Sequence, residues 1–163
     1  MFNRIVVSLD GSQLAEEALP PAIEFARLSG ATIHLVRVVD DAWLVRSSTL
    51  GMSVTPDAAG ATLIAESEDA TRYLAAMREH LAETGIPITV ETRRGRAADE
   101  IRKSVADGDL LAIASHGRSG FSRLALGSVT EDITRHMHTP VLLCHARHPE
   151  PHMVDDARAL VSG

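Results

Sequence analysis

Leu110-Leu111-Ala112-Ile113-Ala114 runs into Ser115-His116-Gly117-Arg118-Ser119-Gly120, and a few residues on, Gly127-Ser128-Val129-Thr130-Glu131 opens a helical pattern. A nearly continuous apolar run is how a strand reads when both its faces are covered, as in a parallel sheet between helices. The stripe Val129, Ile133 and Met137 then recurs at helical spacing. Ser128 and Glu131 have the spacing of a capping box, which predicts that the helix starts at Ser128. The unit is therefore strand, glycine-bearing loop, helix.

The same unit repeats outward from this stretch. Upstream lie the runs Ile5-Val6-Val7-Ser8-Leu9, Thr32 to Val39 and Ile88-Thr89-Val90-Glu91-Thr92, and downstream Val141-Leu142-Leu143-Cys144. The run at Ile88 alternates, which predicts a sheet edge. Between the runs, Ala70, Leu74, Met77 and Leu81 form one helical stripe, and Ala97, Ile101 and Val105 another. Gly30, Gly85 and Gly108 stand where left-handed helix caps are expected, each shortly before a strand. Strands alternating with helices predict an α/β fold: a single doubly wound, five-stranded parallel sheet sandwiched by helices. Pro20-Pro21 interrupts the first helical pattern (Leu14, Ala18, Ala22, Ala26), so a kink or a late start is expected there. The stretch from Asp40 to Ala61 is weakly periodic and contains Gly51, Pro56 and Gly60. A connection of that length suggests a lid or binding loop.

Composition narrows the function. The chain has 163 residues, enough for one domain with a sizeable core, and 45% of them are hydrophobic against only 3% aromatic. The scarcity of aromatic stacking platforms, with a net charge of -6, argues against a nucleic-acid partner. No apolar stretch approaches the roughly 18 residues of a membrane span, so no membrane partner is expected. Cys144 is the single cysteine, which excludes an intrachain disulfide framework and suits a reducing compartment. Met1 to Ile5 lead straight into a strand pattern without a signal-peptide core, so the expected location is cytoplasmic. His136, His138, His145, His148 and His152 match no zinc spacing and read as surface histidines; no metal site is expected. Cys144 reads as a buried, inert thiol.

In open α/β sheets, ligands sit beyond the carboxyl ends of the strands. Two segments follow such ends: Asp10-Gly11-Ser12, and the loop from Ser115 to Gly127. Glycines admit close backbone approach, and a helix N-terminus presents N–H groups and partial positive charge, so this assembly suits a phosphate. A structural loop with an ordinary helix cap fits the same residues. The spacing is neither GxxxxGK[ST] nor GxGxxG.

The stretch from Asp109 to Val129, taken whole, resembles the signature of the universal stress protein family. So do Ile5 to Ser12, the segment Gly95-Arg96-Ala97-Ala98-Asp99-Glu100-Ile101, and Thr139-Pro140-Val141-Leu142-Leu143. The resemblance runs from Asn3 to Ala146 and implies a Rossmann-like fold of the adenine nucleotide alpha hydrolase-like kind. It assigns residues 1–147 to the family domain and 148–163 to a C-terminal tail. The family's nucleotide-binding branch carries G-x2-G-x9-G-[ST]. Here Gly117, Gly127 and Ser128 fit that pattern, while Ala114 replaces its first glycine.

What the resemblance implies is a regulatory or stress-response protein that binds ATP or AMP. Ser8, Leu9 and Asp10 would lie against base and ribose, with Val38 on the adenine face and Ile113 and Ala114 lining the pocket. Gly117, Gly127, Ser128, Val129 and Thr130 would hold phosphates, with His116 and Arg118 nearby and any magnesium arriving through the phosphates. Bland readings stand beside these: Asp10 can cap its own turn, Ser128 can spend its hydroxyl on a helix cap, and Val38 and Ile113 suit a core regardless. The family's habit also implies a homodimer through the last strand, since a bare terminal strand is an edge that pairing would satisfy. Two alternatives remain: a nucleotide-free dimeric interaction module, favoured by Ala114, and a weak ATPase or autophosphorylating enzyme. Phosphoryl transfer needs placed metal ligands and a water-orienting group. Only Asp10 and His116 offer themselves, so no catalytic residue is assigned.

Overall fold

The computed structural model describes residues 1–41, 49–50, 55–115 and 126–145. Five strands, β1 (Arg4–Ser8), β2 (Thr32–Val39), β3 (Ile88–Arg94), β4 (Asp109–Ala114) and β5 (Val141–Cys144), form one sheet in the order β3-β2-β1-β4-β5. Every neighbouring pair is parallel, with Ile5 opposite both Ile33 and Leu110. The expected doubly wound sheet is therefore present, and the alternating run at Ile88 forms its edge strand β3. Strand order reverses between β1 and β4, which places a crevice at their carboxyl ends.

Strand alternation divides the core into two layers. On one face Ile5, Val7, Leu9, Ile33, Leu35, Leu110 and Ala112 pack against Ala18, Ala22 and Ala26 of the first helical segment and Leu74 of a long helix. On the other, Val6, Val36, Leu111 and Ile113 pack against Ala98, Ile101 and Ile133. The helices of the first layer are α1 (Gln13–Glu16), α2 (Leu19–Ser29) and α3 (Pro56–His80); those of the second are α4 (Ala97–Ser104) and α5 (Ser128–His136). Small alanines let α2 sit close to the sheet, as a core poor in aromatics requires.

The prolines act as a boundary. α1 stops at Glu16, and Pro20 and Pro21 fall in the first turn of α2, where a missing N–H leaves no intrahelical bond unmade. Gly30 ends α2 in the left-handed conformation, φ 71°, its N–H donating to Ala26 O. Gly108, by contrast, does not cap α4, which stops at Ser104 with Val105 extended. The region expected to be a loop up to Ala61 is partly helix: Thr55 Oγ1 accepts from Ala58 N–H, Pro56 follows, and α3 runs through Gly60. Residues 42–48 and 51–54 of that stretch lie outside the described residues. At the amino end of the sheet, the Arg4 guanidinium donates to Asp109 Oδ2 at 2.6 Å and to Ser104 O at 3.0 Å, tying β1 and β4 to α4.

Candidate functional site

Val7 stands opposite Ala112 in the β1–β4 ladder, so by register Asp10 and Ser115 leave the sheet side by side. Ser8 is half-buried at the end of β1, and the Leu9 side chain is buried, its N–H donating to Val36 O at 2.9 Å. Asp10 turns back on itself: Oδ1 accepts from Ser12 N–H at 2.9 Å and from Ser12 Oγ at 2.6 Å. Ser12 Oγ in turn accepts from Ala15 N–H and caps α1. The turn-capping reading of Asp10 is thus present in the structure.

The β4 side is closed by three bonds. Ser115 N–H donates to Cys144 O at 2.7 Å, Gly127 N–H donates to Ser115 O at 3.0 Å, and Thr130 Oγ1 donates to Ala114 O at 3.0 Å. They bring the start of α5 onto the carboxyl end of β4. Val38, Ile113 and Val129 meet in the second core layer beneath that junction. Ala114 is buried at 4% exposure and pairs with Cys144 across the ladder, so its methyl belongs to packed interior.

The helix start departs from expectation in one respect. Gly127, with extended backbone, is the N-cap; Ser128 is the first helical residue, and no side-chain hydrogen bond caps the helix. The capping box does not form, because Ser128 lies inside the helix and not at its N-cap; Glu131 pairs with Arg135 at 2.7 Å. Ser128 is exposed and its hydroxyl is not spent on the cap. His116, Gly117 and Arg118 lie outside the described residues.

The other sequence-flagged groups fall elsewhere. His136 Nδ1 lies 3.1 Å from Asp132 Oδ1, and His138 and His145 are exposed, while His148 and His152 are outside the described residues. Burial pushes the Cys144 thiol up from its ordinary range. Among the described residues no group of three His, Cys, Asp or Glu could hold a metal, and no helix is long and apolar enough to cross a membrane.

The sheet order, the crevice at β1 and β4 and the glycine-capped α5 agree with a family match across residues 1–145, to the model described as "Universal stress protein family". The chain belongs to the universal stress protein family. Among curated members, universal stress protein MJ0531 of Methanocaldococcus jannaschii is 30% identical over 147 residues, covering 88% of this chain and 82% of that protein. Universal stress protein YxiE of Bacillus subtilis is 27% identical, covering 88% and 99%. Among solved structures, that of MJ0577 from M. jannaschii superposes with a TM-score of 0.76 at 23% identity, over 91% of this chain and 99% of that one. A universal stress protein solved in complex with cAMP gives 0.62 at 21% identity (90% and 99% covered), and an Arabidopsis thaliana member with AMP bound gives 0.59 at 15% (89% and 92%). These likenesses establish the fold as that of the family.

Sequence reading passed over Arg37, Tyr73 and Glu16, which gather behind the Asp10 loop. The one available signal was an arginine among the apolar residues Leu35, Val36, Val38 and Val39 of β2.

Proposed function

We propose that this universal stress protein binds an adenine nucleotide, ATP or AMP, in the crevice at the carboxyl ends of β1 and β4, and acts as a cytoplasmic regulator in a stress response. The observation that carries the reading is the start of α5: a glycine N-cap with no capping side chain, held against β4 by the Gly127–Ser115 bond. N–H groups of a first turn that no side chain caps suit phosphate oxygens, and the helix dipole adds to the attraction. In this reading the N–H groups of Ser128, Val129 and Thr130 hold phosphate. Gly127, its own N–H bonded to Ser115 O, lets the phosphate approach closely, and Gly117 joins them through its place in the motif. Ser8, Leu9 and Asp10 border ribose and base, and Val38, Ile113 and Ala114 line the adenine side. His116 and Arg118 lie close by in sequence, and magnesium enters with the phosphates. The neighbours solved with cAMP and with AMP support the ligand class.

Ser128→Pro tests the cradle directly. Proline is well tolerated as the first helical residue, and the extended Gly127 before it is compatible with proline, yet one N–H is removed. Calorimetric titration with ATP, AMP and cAMP is expected to give affinity weaker by about tenfold than in Ser128→Ala, with thermal stability nearly unchanged. Equal affinities in the two variants would sink the cradle.

A homodimer through β5 completes the proposal. Leu111 N–H donates to Pro140 O and Ser115 N–H to Cys144 O, so the main-chain groups of Val141 and Leu143 face outward at the sheet edge. Val141, Leu142 and Leu143 form an apolar strand left half-buried there.

A further inference from the structure

Arg37 follows Val36 and precedes Val38 on β2, and by alternation its side chain leaves the opposite face of the sheet from theirs. Its side chain is only 13% exposed. The guanidinium lies flat against the Asp10 loop: a Cβ placed on Gly11 would come within 3.1 Å of Arg37 Cζ and Nη2 and 3.3 Å of Nη1. Gly11 has φ 84°, which favours glycine, and a side chain there would also press on the cation beside it. Two residues one turn apart on α3 hold that cation from behind. Arg37 Cζ stands 5.0 Å from the Tyr73 ring centroid, and Arg37 Nη2 lies 3.1 Å from Asp69 Oδ2. Tyr73 then reaches α1, its hydroxyl donating to Glu16 Oε1 at 2.8 Å.

We propose that Arg37 and Tyr73 form a clamp through which α3 sets the position of the Asp10 loop, and with it nucleotide affinity, without touching the nucleotide. The clamp rests on the nucleotide reading for its consequence but not for its geometry. Inside the loop, Asp10 and Ser12 fix each other; outside it, the guanidinium supplies the surface against which Gly11 is seated. Arg37 and Tyr73 are positioning residues. The arrangement is closed: loop to β2 through Gly11 and Arg37, β2 to α3 through Tyr73 and Asp69, and α3 to α1 through Glu16. A cation stacked on an aromatic ring in a largely desolvated setting is worth enough to hold a short loop.

Tyr73 is the only tyrosine, so its phenolate absorbance reports the clamp alone. Burial first, then the hydrogen bond and charge of Glu16, hold the phenol well above its ordinary range, and Arg37 opposes them. Glu16→Gln is therefore expected to let the phenol ionise at lower pH than in the wild type, and Arg37→Met at higher pH. Hydrogen exchange at the amides of residues 10–13 is expected to quicken about tenfold in Arg37→Met while β1 and β4 stay protected. In the same variant AMP and ATP affinity is expected to fall about tenfold, with Arg37→Lys intermediate because it keeps the Asp69 pair and loses the flat stack. Unchanged exchange in Arg37→Met overturns the clamp whatever the binding result. Quickened exchange with unchanged affinity overturns its link to the site. A wild-type protein that binds neither AMP nor ATP refutes the nucleotide reading and with it the link, and exchange and the tyrosine titration then decide whether the clamp itself holds.

Discussion

Ala114 is the residue on which the motif and the structure pull apart. It occupies the position where the family's nucleotide-binding pattern has glycine, yet it is buried in β4 with its carbonyl accepting from Thr130 Oγ1. A methyl already placed in packed interior leaves the crevice as it is. Ala114→Gly is therefore expected to change AMP and ATP affinity by less than about twofold and to cost about 0.5–1 kcal/mol of stability, the usual penalty of glycine in a strand. Chemical denaturation read beside calorimetry checks both halves; a large gain in affinity would show that the methyl crowds the ligand. Asp10 carries a related lesson. Its turn-capping role and a ribose contact were equal on sequence, and the bonds to Ser12 establish the first.

Helix α5 is secured to α4 by charge as well as by Ile133. Arg96 and Arg102 of the α4 segment both donate to the Asp132 carboxylate, and Arg102 also pairs with Asp99. The Arg102 hydrogen bond, followed by the charge of Arg96 and the bond from His136, holds Asp132 below the usual carboxylate range against the opposing effect of burial. A depressed carboxylate stabilises the fold above its unfolded value, and that contribution disappears as pH falls through the folded value. Asp132→Asn should lower the melting temperature at pH 7, and the gap to wild type should begin to narrow as pH falls below about 4 and go on narrowing toward the lowered folded value. A gap that does not narrow at all between pH 7 and pH 3 would mean that packing, not charge, was lost. Much at this scale could be read in advance. The stripes at Ala70–Leu81, Ala97–Val105 and Val129–Met137 mark real helices, because burying one face forces the period. What escaped reading depended on single side chains: Glu131 pairs with Arg135, and Thr55-Pro56 opened a helix inside a segment whose weak periodicity hid it.

For the molecule as a whole, the strands and the β3 edge followed from hydrophobic runs, while the clamp did not. Arg37, Tyr73 and Glu16 are far apart in the chain and share no spacing, so only the folded sheet and α3 unite them. β5, which the resemblance marks as a bare terminal strand, is a half-buried edge in the single chain, and the proposed dimer would supply the missing cover. Leu143→Pro removes an outward N–H without touching the ladder to β4. Sedimentation is expected to find the wild type at twice the chain mass and this variant at the chain mass; a variant that keeps the doubled mass would place the interface elsewhere.

The bond from Gly127 to Ser115 has a further consequence. It fastens together the two ends of an eleven-residue excursion, residues 116–126, at the point where β4 finishes and α5 begins. Closure entropy rises only slowly with length, about 0.6 kcal/mol for each doubling. Segments of other lengths and chemistries could therefore be exchanged between those two posts while strand and helix keep their places. Such a layout would let the chemistry between the posts change while the architecture stays the same.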